Sequence, residues 1–260
     1  MVNKSFIFLA GHHRSGTSLL HEIIRNHKDI SGMVDTGVPE DEGQHLQSVF
    51  KPASEFGGAG KYIFDANSYM NESHELATEA SAQKILEQWE SYLDSACSHY
   101  IEKSPPNLIR TRFLQRLFPN SKFIVILRHP LAVAFATQKW SKSSIKSLIE
   151  HTLRGYELFA EDSKYLQQCY VLQYESFIAR PQIEVDKIFE FLDMESIEVT
   201  HHIRQGINEK YFNAWEKHKN KLWNKLIPPI NQKLELRANK FGYSLLDYRN
   251  EFARSLSSLA

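Results

Sequence analysis

The sequence predicts an α/β fold in three layers, with helices on both faces of a central parallel sheet. Residues 6–10 (FIFLA) and 123–127 (FIVIL) form unbroken apolar runs, as strands buried on both faces do. Stretches with helical spacing of apolar residues separate these runs, and strands alternating with helices favour parallel pairing. A chain of 260 residues with 42% hydrophobic residues suits one large core. We therefore expect residues 1–260 to form a single domain.

The predicted elements follow in chain order. Strands are expected at residues 6–10, 99–102, 123–127 and 170–174. Helices are expected at residues 17–27, 75–98, 107–118, 130–140, 144–168, 180–192 and 230–241. Pro181 suits the first turn of its helix, and Gly242 suits the end of the last helix. Residues 200–228 are expected to form a loop and a short helix.

One segment departs from this alternation. Residues 35–74 are rich in Gly, Pro, Asp and Ser and show no hydrophobic period, which predicts a long irregular insertion. Long irregular segments in compact domains tend to be functional loops. We expect this insertion to contact the substrate.

Charge and cysteine content exclude several classes of protein. Because 31 Lys and Arg balance 31 Asp and Glu, the chain has no overall field to hold nucleic acid, and any anion site must be local. Cys97 and Cys169 lack CxxC spacing, which favours a reducing compartment and argues against structural zinc. No apolar run reaches the roughly 18 residues of a membrane span, and the first residues do not resemble a signal peptide. We predict a cytoplasmic protein without a transmembrane segment.

The residues that follow the strands should meet at one edge of the sheet, where ligands bind in such folds. The first strand leads into residues 11–18 (GHHRSGTS), which have the G-x-x-x-x-G spacing of a phosphate-binding loop. Backbone N–H groups of such a loop, at the N-terminus of the next helix, bind anions. Thr17 stands where nucleotide triphosphatases have a lysine, and Arg14 supplies the cation instead. This substitution argues against an ordinary ATPase or kinase, although a simple tight turn would show the same glycine spacing.

Several segments resemble one enzyme family. Residues 11–20 (GHHRSGTSLL) are similar to the 5′-phosphosulfate loop of sulfotransferases that use 3′-phosphoadenosine 5′-phosphosulfate (PAPS). Residues 123–137 (FIVILRHPLAVAFAT) are similar to the 3′-phosphate motif of that family. Residues 102–105 (EKSP) and 173–177 (QYESF) resemble two further family segments, and the whole resemblance covers about residues 6–193. It implies a P-loop-like sulfotransferase fold.

The resemblance also implies roles for individual residues. The 5′-phosphosulfate would be held by Arg14, Gly16, Thr17 and Ser18 and by the backbone of Ser15. Arg128 would pair with the 3′-phosphate, which suits the planar, bidentate geometry of a guanidinium. The family usually has a serine where this chain has Ala136, so Thr137 is a substitute candidate for the second contact. Tyr174 would contact the nucleotide, although a tyrosine that ends a core strand is as often a packing residue.

Sulfuryl transfer needs a base that deprotonates the acceptor. Residues 40–45 hold three carboxylates and one imidazole, and we rank Glu42 first, then His45, Asp41 and Glu40. A solvated loop before a helix would explain the same residues. Lys103 is expected to neutralise the negative charge that develops on the oxygen linking phosphate and sulfate in the donor. The alternative is that Lys103 only forms an ion pair with Glu102.

Together these features predict in-line transfer of a sulfuryl group from PAPS, without a metal ion, to a hydroxyl or amine of a small-molecule or carbohydrate acceptor. Two alternatives stay open at this point. One is a P-loop kinase or nucleotide hydrolase, and the other is a nucleotide-binding module without catalytic activity.

Overall fold

A computed structural model describes residues 4–249 except 222–223 and 225–227, and at its centre lies a sheet of five parallel strands. The strands are β1 (Ser5–Ala10), β2 (Ile30–Gly32), β3 (His99–Lys103), β4 (Lys122–Leu127) and β5 (Cys169–Gln173). Their order across the sheet is β2-β3-β1-β4-β5. The predicted α/β class with a parallel sheet is therefore confirmed.

Helices cover both faces of this sheet. They are α1 (Thr17–Ile24), α2 (Glu79–Trp89), α3 (Thr111–Leu117), α4 (Pro130–Thr137), α5 (Ile145–Asp162), α6 (Tyr174–Ala179), α7 (Pro181–Leu192), α8 (Ile207–Lys219) and α9 (Gln232–Asn239). Side chains alternate between the faces along each strand, so Ile7 and Leu9 pack with α1, α6 and α7. Phe6 and Phe8 pack on the other face with α2 and α3, and Val125 and Leu127 pack there with α4, α5, α8 and α9.

The central strand determines where the site lies. In β1, Leu9 is in register with Lys103 of β3 and with Ile124 of β4. The loop that follows β1 therefore emerges between the carboxyl ends of β3 and β4. The edge strand β2 has only three residues, too few for a strand period to be recognised in the sequence.

The helix expected at 144–168 ends at Asp162, and the strand expected at 170–174 ends at Gln173, because Tyr174 begins α6. Two further helices differ more from prediction. The helix expected at 75–98 spans only α2 and a 3₁₀ turn at residues 90–92, because Thr78 caps its start and Leu93 is extended. The helix expected at 107–118 is a 3₁₀ segment at residues 105–109 followed by α3, with Arg110 in a non-helical conformation between them.

The insertion at residues 35–74 contains 3₁₀ turns, and its described backbone forms neither an α-helix nor a strand. It is nevertheless packed on the domain, since Tyr62 is fully buried. The buried Arg110 guanidinium donates hydrogen bonds to the carbonyls of Ser68 and Lys51, both at 3.1 Å. In the described part of the chain, none of the helices combines the length and the apolar character needed to cross a membrane.

Candidate active site

The loop at residues 11–16 joins β1 to α1 and depends on its two glycines. A Cβ atom on Gly11 would lie 2.7 Å from the carbonyl oxygen of Ile126. Gly16 has a φ of 103°, and a Cβ atom there would lie 2.6 Å from the Tyr174 ring. Both positions therefore require glycine, which lets the backbone turn tightly into the N-terminus of α1. Arg14, between them, adopts a left-handed φ of 67°.

A cleft of about 300 Å³ opens beside this loop and extends to the start of α8. Eight predicted site residues lie on its wall: Arg14, Gly16, Thr17, Ser18, Glu40, Glu42, Arg128 and Tyr174. Trp140, Lys210 and Tyr211 complete one side of it. The fold thus gathers residues from the loop, the insertion and the ends of β4 and β5 at one place.

Arg128 follows β4 and is held from several sides, with only 5% of its surface exposed. Its Nη1 donates to the carbonyl oxygen of Arg14 at 2.7 Å. Its Nε and Nη2 donate to Oδ1 of Asn208 at 3.0 and 2.7 Å. The guanidinium carbon lies 4.0 Å from the centroid of the Tyr174 ring. Arg128 is therefore fixed in one orientation at the cleft.

Asn208 and Glu175 support this arrangement, although neither was predicted to have a role. Asn208 Nδ2 donates to Oε1 of Glu175 at 2.6 Å, and the backbone N–H of His129 donates to the same oxygen at 3.0 Å. The Tyr243 hydroxyl donates to Oε2 at 3.1 Å. Burial raises the pKa of Glu175, which these donors oppose. The QYESF segment contained Glu175, whereas Asn208 lies after a loop without a recognisable pattern.

Glu42 is the buried carboxylate of the insertion and is 5% exposed. Its Oε1 lies 3.5 Å from the Lys103 ammonium, and its Oε2 accepts a hydrogen bond from Gln44. Burial raises the pKa of Glu42 to about 7, and the Lys103 ammonium opposes that rise. Glu42 can therefore change its protonation state near neutral pH.

The other candidate bases have different surroundings. Asp41 accepts hydrogen bonds from the backbone N–H and the hydroxyl of Thr36, at 2.8 and 2.6 Å, which lowers its pKa. Glu40 is exposed at the rim and accepts a hydrogen bond from the Ser18 hydroxyl at 3.4 Å. His45 Nε2 lies 3.9 Å from Oε2 of Glu42, and His45 is not part of the cleft wall. Glu42 thus combines burial with access to the cleft.

Lys103 points toward the insertion. Its ammonium donates to the carbonyl oxygen of Glu40 at 2.7 Å and pairs with Glu42. Its neighbour Glu102 also contacts the insertion: it accepts hydrogen bonds from the Gly43 N–H at 3.0 Å and from Asn107 at 2.6 Å. Lys103 therefore pairs with Glu42, and neither Lys103 nor Glu102 lines the cleft.

Two predicted ligands of the donor lie away from the cleft wall. Thr137 is buried on a separate cavity of about 10 Å³ that it shares with His12, His13 and His151. This position does not support a shared phosphate contact of Thr137 with Arg128. The Ser15 hydroxyl is buried and has no hydrogen-bond partner among the described residues, while its N–H donates to the His12 carbonyl at 3.0 Å.

The histidines of that small cavity are uncharged at neutral pH. Burial lowers the pKa of His12 to about 4, of His13 to about 3 and of His151 to about 2. His12 Nε2 lies 2.9 Å from the carbonyl oxygen of Thr152. In the described residues no group of three or more His, Cys, Asp or Glu could hold a metal ion. His12 and His13 therefore act as uncharged packing residues beside the loop.

Comparisons with known proteins agree on one family. Residues 6–198 match the sequence profile of the Sulfotransferase family. A Caenorhabditis briggsae protein that carries the name of a protein-tyrosine sulfotransferase is 25% identical, over 81% of this chain and 75% of its own length. The sulfotransferase domain from the curacin biosynthetic pathway has a similar fold, with a TM-score of 0.55, 17% identity and coverage of 93% of this chain and 99% of that domain. A Mycobacterium tuberculosis sulfotransferase also has a TM-score of 0.55, with 15% identity and coverage of 90% and 76%.

Proposed function

Because this chain belongs to the sulfotransferase family, whose donor is PAPS, we propose that the cleft beside residues 11–16 holds this donor and that Glu42 activates the acceptor. The observation that carries the proposal is the meeting of Arg14, Arg128 and Glu42 on one cleft wall. The two arginines can neutralise two separated anionic groups, and a carboxylate stands beside them.

The residues present fit the donor. The loop brings backbone N–H groups to the N-terminus of α1, an arrangement that favours anions, and Arg128, which is bonded to the Arg14 carbonyl, supplies a buried cation beside the loop. PAPS supplies the sulfuryl group and leaves as adenosine 3′,5′-bisphosphate. We assign Arg14, Gly16, Thr17 and Ser18 to the 5′ end and Arg128 to the 3′-phosphate. The ring of Tyr174 packs against Arg128 and orients it.

Glu42 is suited to the role of base. A general base works best when its pKa lies near the operating pH, and burial raises the pKa of Glu42 to about 7. The Lys103 ammonium, 3.5 Å away, keeps the carboxylate in place and favours its ionised form. In this proposal, Lys103 acts on Glu42 in addition to any effect on the donor.

The acceptor is proposed to be a hydroxyl or amine of a small molecule or carbohydrate that reaches Glu42 past the insertion. The relative from Caenorhabditis briggsae adds a tyrosine hydroxyl as a candidate of the same chemical class. Turnover assays with a tyrosine-containing peptide and with a sugar acceptor would separate the two. A single domain and a reducing compartment belong to the same proposal, and Cys97 and Cys169 are both free thiols.

Calorimetric titration tests the donor assignment without knowledge of the acceptor. Adenosine 3′,5′-bisphosphate is expected to bind without added magnesium and more tightly than ATP with magnesium. Adenosine 5′-phosphate is the matched control, because it lacks only the 3′-phosphate. Preference for ATP with magnesium would contradict the proposed donor site and would favour a kinase or nucleotide hydrolase.

A further inference from the structure

Trp140 lies in the turn after α4, on the wall of the cleft, and 55% of its surface is exposed. We propose that Trp140 is a positioning residue that orders the Arg14 guanidinium over the cleft before the donor binds. The inference rests on the donor-binding role of Arg14 in the proposed function.

Among the described residues, the Arg14 side chain has one aromatic neighbour, Trp140. Its guanidinium carbon lies 4.7 Å from the centroid of the Trp140 ring. Among the residues that the structure describes, this side chain makes no hydrogen bond and no ion pair. Arg14 is exposed, and an exposed arginine without such a contact would sample many rotamers. Trp140 therefore restricts the group that the donor must meet.

The contact over the Trp140 ring leaves the hydrogen-bond donors of Arg14 unused within the described residues. A guanidinium that lies over an aromatic ring uses its face, whereas its N–H groups point outward in its own plane. Arg128 shows the contrasting case: its face lies on Tyr174, but its edge already donates to Asn208 and to the Arg14 carbonyl. The in-plane donors of Arg14 thus stay available for the oxygens of a phosphosulfate.

The turn that carries Trp140 is itself anchored. The backbone N–H of Trp140 donates to the carbonyl of Thr137, the last residue of α4, at 2.9 Å. Helix α4 begins at Pro130, two residues after Arg128. One short helix therefore connects Arg128 with the ring that contacts the Arg14 guanidinium.

A double-mutant cycle tests the inference through the affinity for adenosine 3′,5′-bisphosphate. Trp140→Leu should weaken binding about two- to fivefold, the value of an exposed cation–π contact, and Trp140→Phe should restore part of the loss. In an Arg14→Ala background, Trp140→Leu should change nothing further. Tyr165→Leu is the matched control, since Tyr165 is 61% exposed and lies 4.1 Å from the Arg112 guanidinium, away from the cleft. The control should bind like the wild type.

A second readout uses the free protein. The emission of Trp140, obtained as the difference between wild type and Trp140→Phe, should change when Arg14 is replaced by Ala and should be largely retained in Arg14→Lys. If Trp140→Leu weakens binding equally in the presence and absence of Arg14, Trp140 contacts the ligand itself and the inference is overturned. A Trp140 emission that stays the same when Arg14 is replaced by Ala would also overturn the inference. If the wild type does not bind the bisphosphate, the proposed function is contradicted. The emission measurement would still test the contact between Trp140 and Arg14, because it needs no ligand.

Discussion

The Arg128 guanidinium donates a hydrogen bond of 2.7 Å to the backbone carbonyl of Arg14, so the two cations of the cleft are physically joined. Arg128 holds the loop at the residue that has a left-handed φ of 67°. A conformation of this kind is uncommon outside glycine and persists where surrounding contacts hold it. The strand-end arginine therefore stabilises the conformation of the phosphate-binding loop in addition to its proposed contact with the donor.

Arg128→Ala should weaken adenosine 3′,5′-bisphosphate about 10- to 150-fold, because a charge-assisted contact contributes about 1.5–3 kcal/mol. The affinity for adenosine 5′-phosphate should fall much less, because the substitution affects this ligand only through the lost hydrogen bond to the loop. Titration of both nucleotides measures the selectivity, and Arg128→Lys serves as a control that keeps the charge without the planar fork. Equal weakening of the two ligands would mean that Arg128 acts only through the loop.

Arg14→Ala should lower donor affinity or sulfuryl transfer by a similar factor of about 10 to 150, since the loop loses its charged donor. Steady-state kinetics with varied PAPS would measure the effect. Arg14 is exposed, so thermal stability should change little. Wild-type kinetics in this variant would show that the loop binds the donor through backbone groups without the guanidinium.

Glu42→Gln should lower turnover about 10²- to 10⁴-fold while bisphosphate affinity stays nearly intact, as expected for loss of a general base. The base acts in its ionised form, and burial raises the pKa of Glu42 to about 7. The wild-type rate should therefore rise with pH through the neutral range, and this acidic limb should be absent in the variant. Glu55→Gln is the matched control, because Glu55 is an exposed carboxylate of the same insertion that does not line the cleft. If Glu42→Gln leaves turnover unchanged and His45→Ala lowers it, the His45 imidazole is the base.

Lys103→Met should move the acidic limb of the pH–rate profile to higher pH. The Lys103 ammonium lowers the pKa of Glu42 against the effect of burial, so its removal leaves the carboxyl protonated over a wider range. The activity loss should be larger at pH 6.5 than at pH 8.5. If the acidic limb of the pH–rate profile is unchanged and PAPS binds more weakly, Lys103 acts on the donor and not on Glu42.

His151→Phe should flatten the dependence of stability on acidic pH. Burial lowers the pKa of His151 to about 2, below the unfolded value of 6.5, so the unfolded chain binds the extra proton and stability is lost as pH falls below 6.5. The difference in unfolding free energy between variant and wild type should shift in favour of the variant by about 1.4 kcal/mol per pH unit. Denaturant unfolding at pH 7.5 and 5.5 measures it. The exposed His202, replaced by Gln, is the control that should leave the slope unchanged.

Local patterns predicted most of the cleft, because the apolar runs of β1 and β4 mark the places where Arg14 and Arg128 emerge. The contacts that fix Arg128 were not predictable in the same way, since Asn208 lies 80 positions along the chain and no pattern relates the two. Thr137 shows a different limit. Successive residues of a helix point about 100° apart, so Thr137 and Ala136 face different surroundings despite their adjacency. Glu42 could be ranked by position, whereas its burial depended on how the insertion folds back.

The pairing of β1 has a consequence for the order of events during synthesis. Its neighbours in the sheet are β3, where Ser5 pairs with His99, and β4, where Ile7 pairs with Lys122. At about 5–20 residues per second, a ribosome needs roughly 5–20 s to deliver the first of these partners. During that interval the FIFLA strand has no sheet to join, and both of its hydrogen-bonding edges are open to other chains. The first strand of the emerging polypeptide thus stays without its native sheet partners until the middle third of the chain has been made.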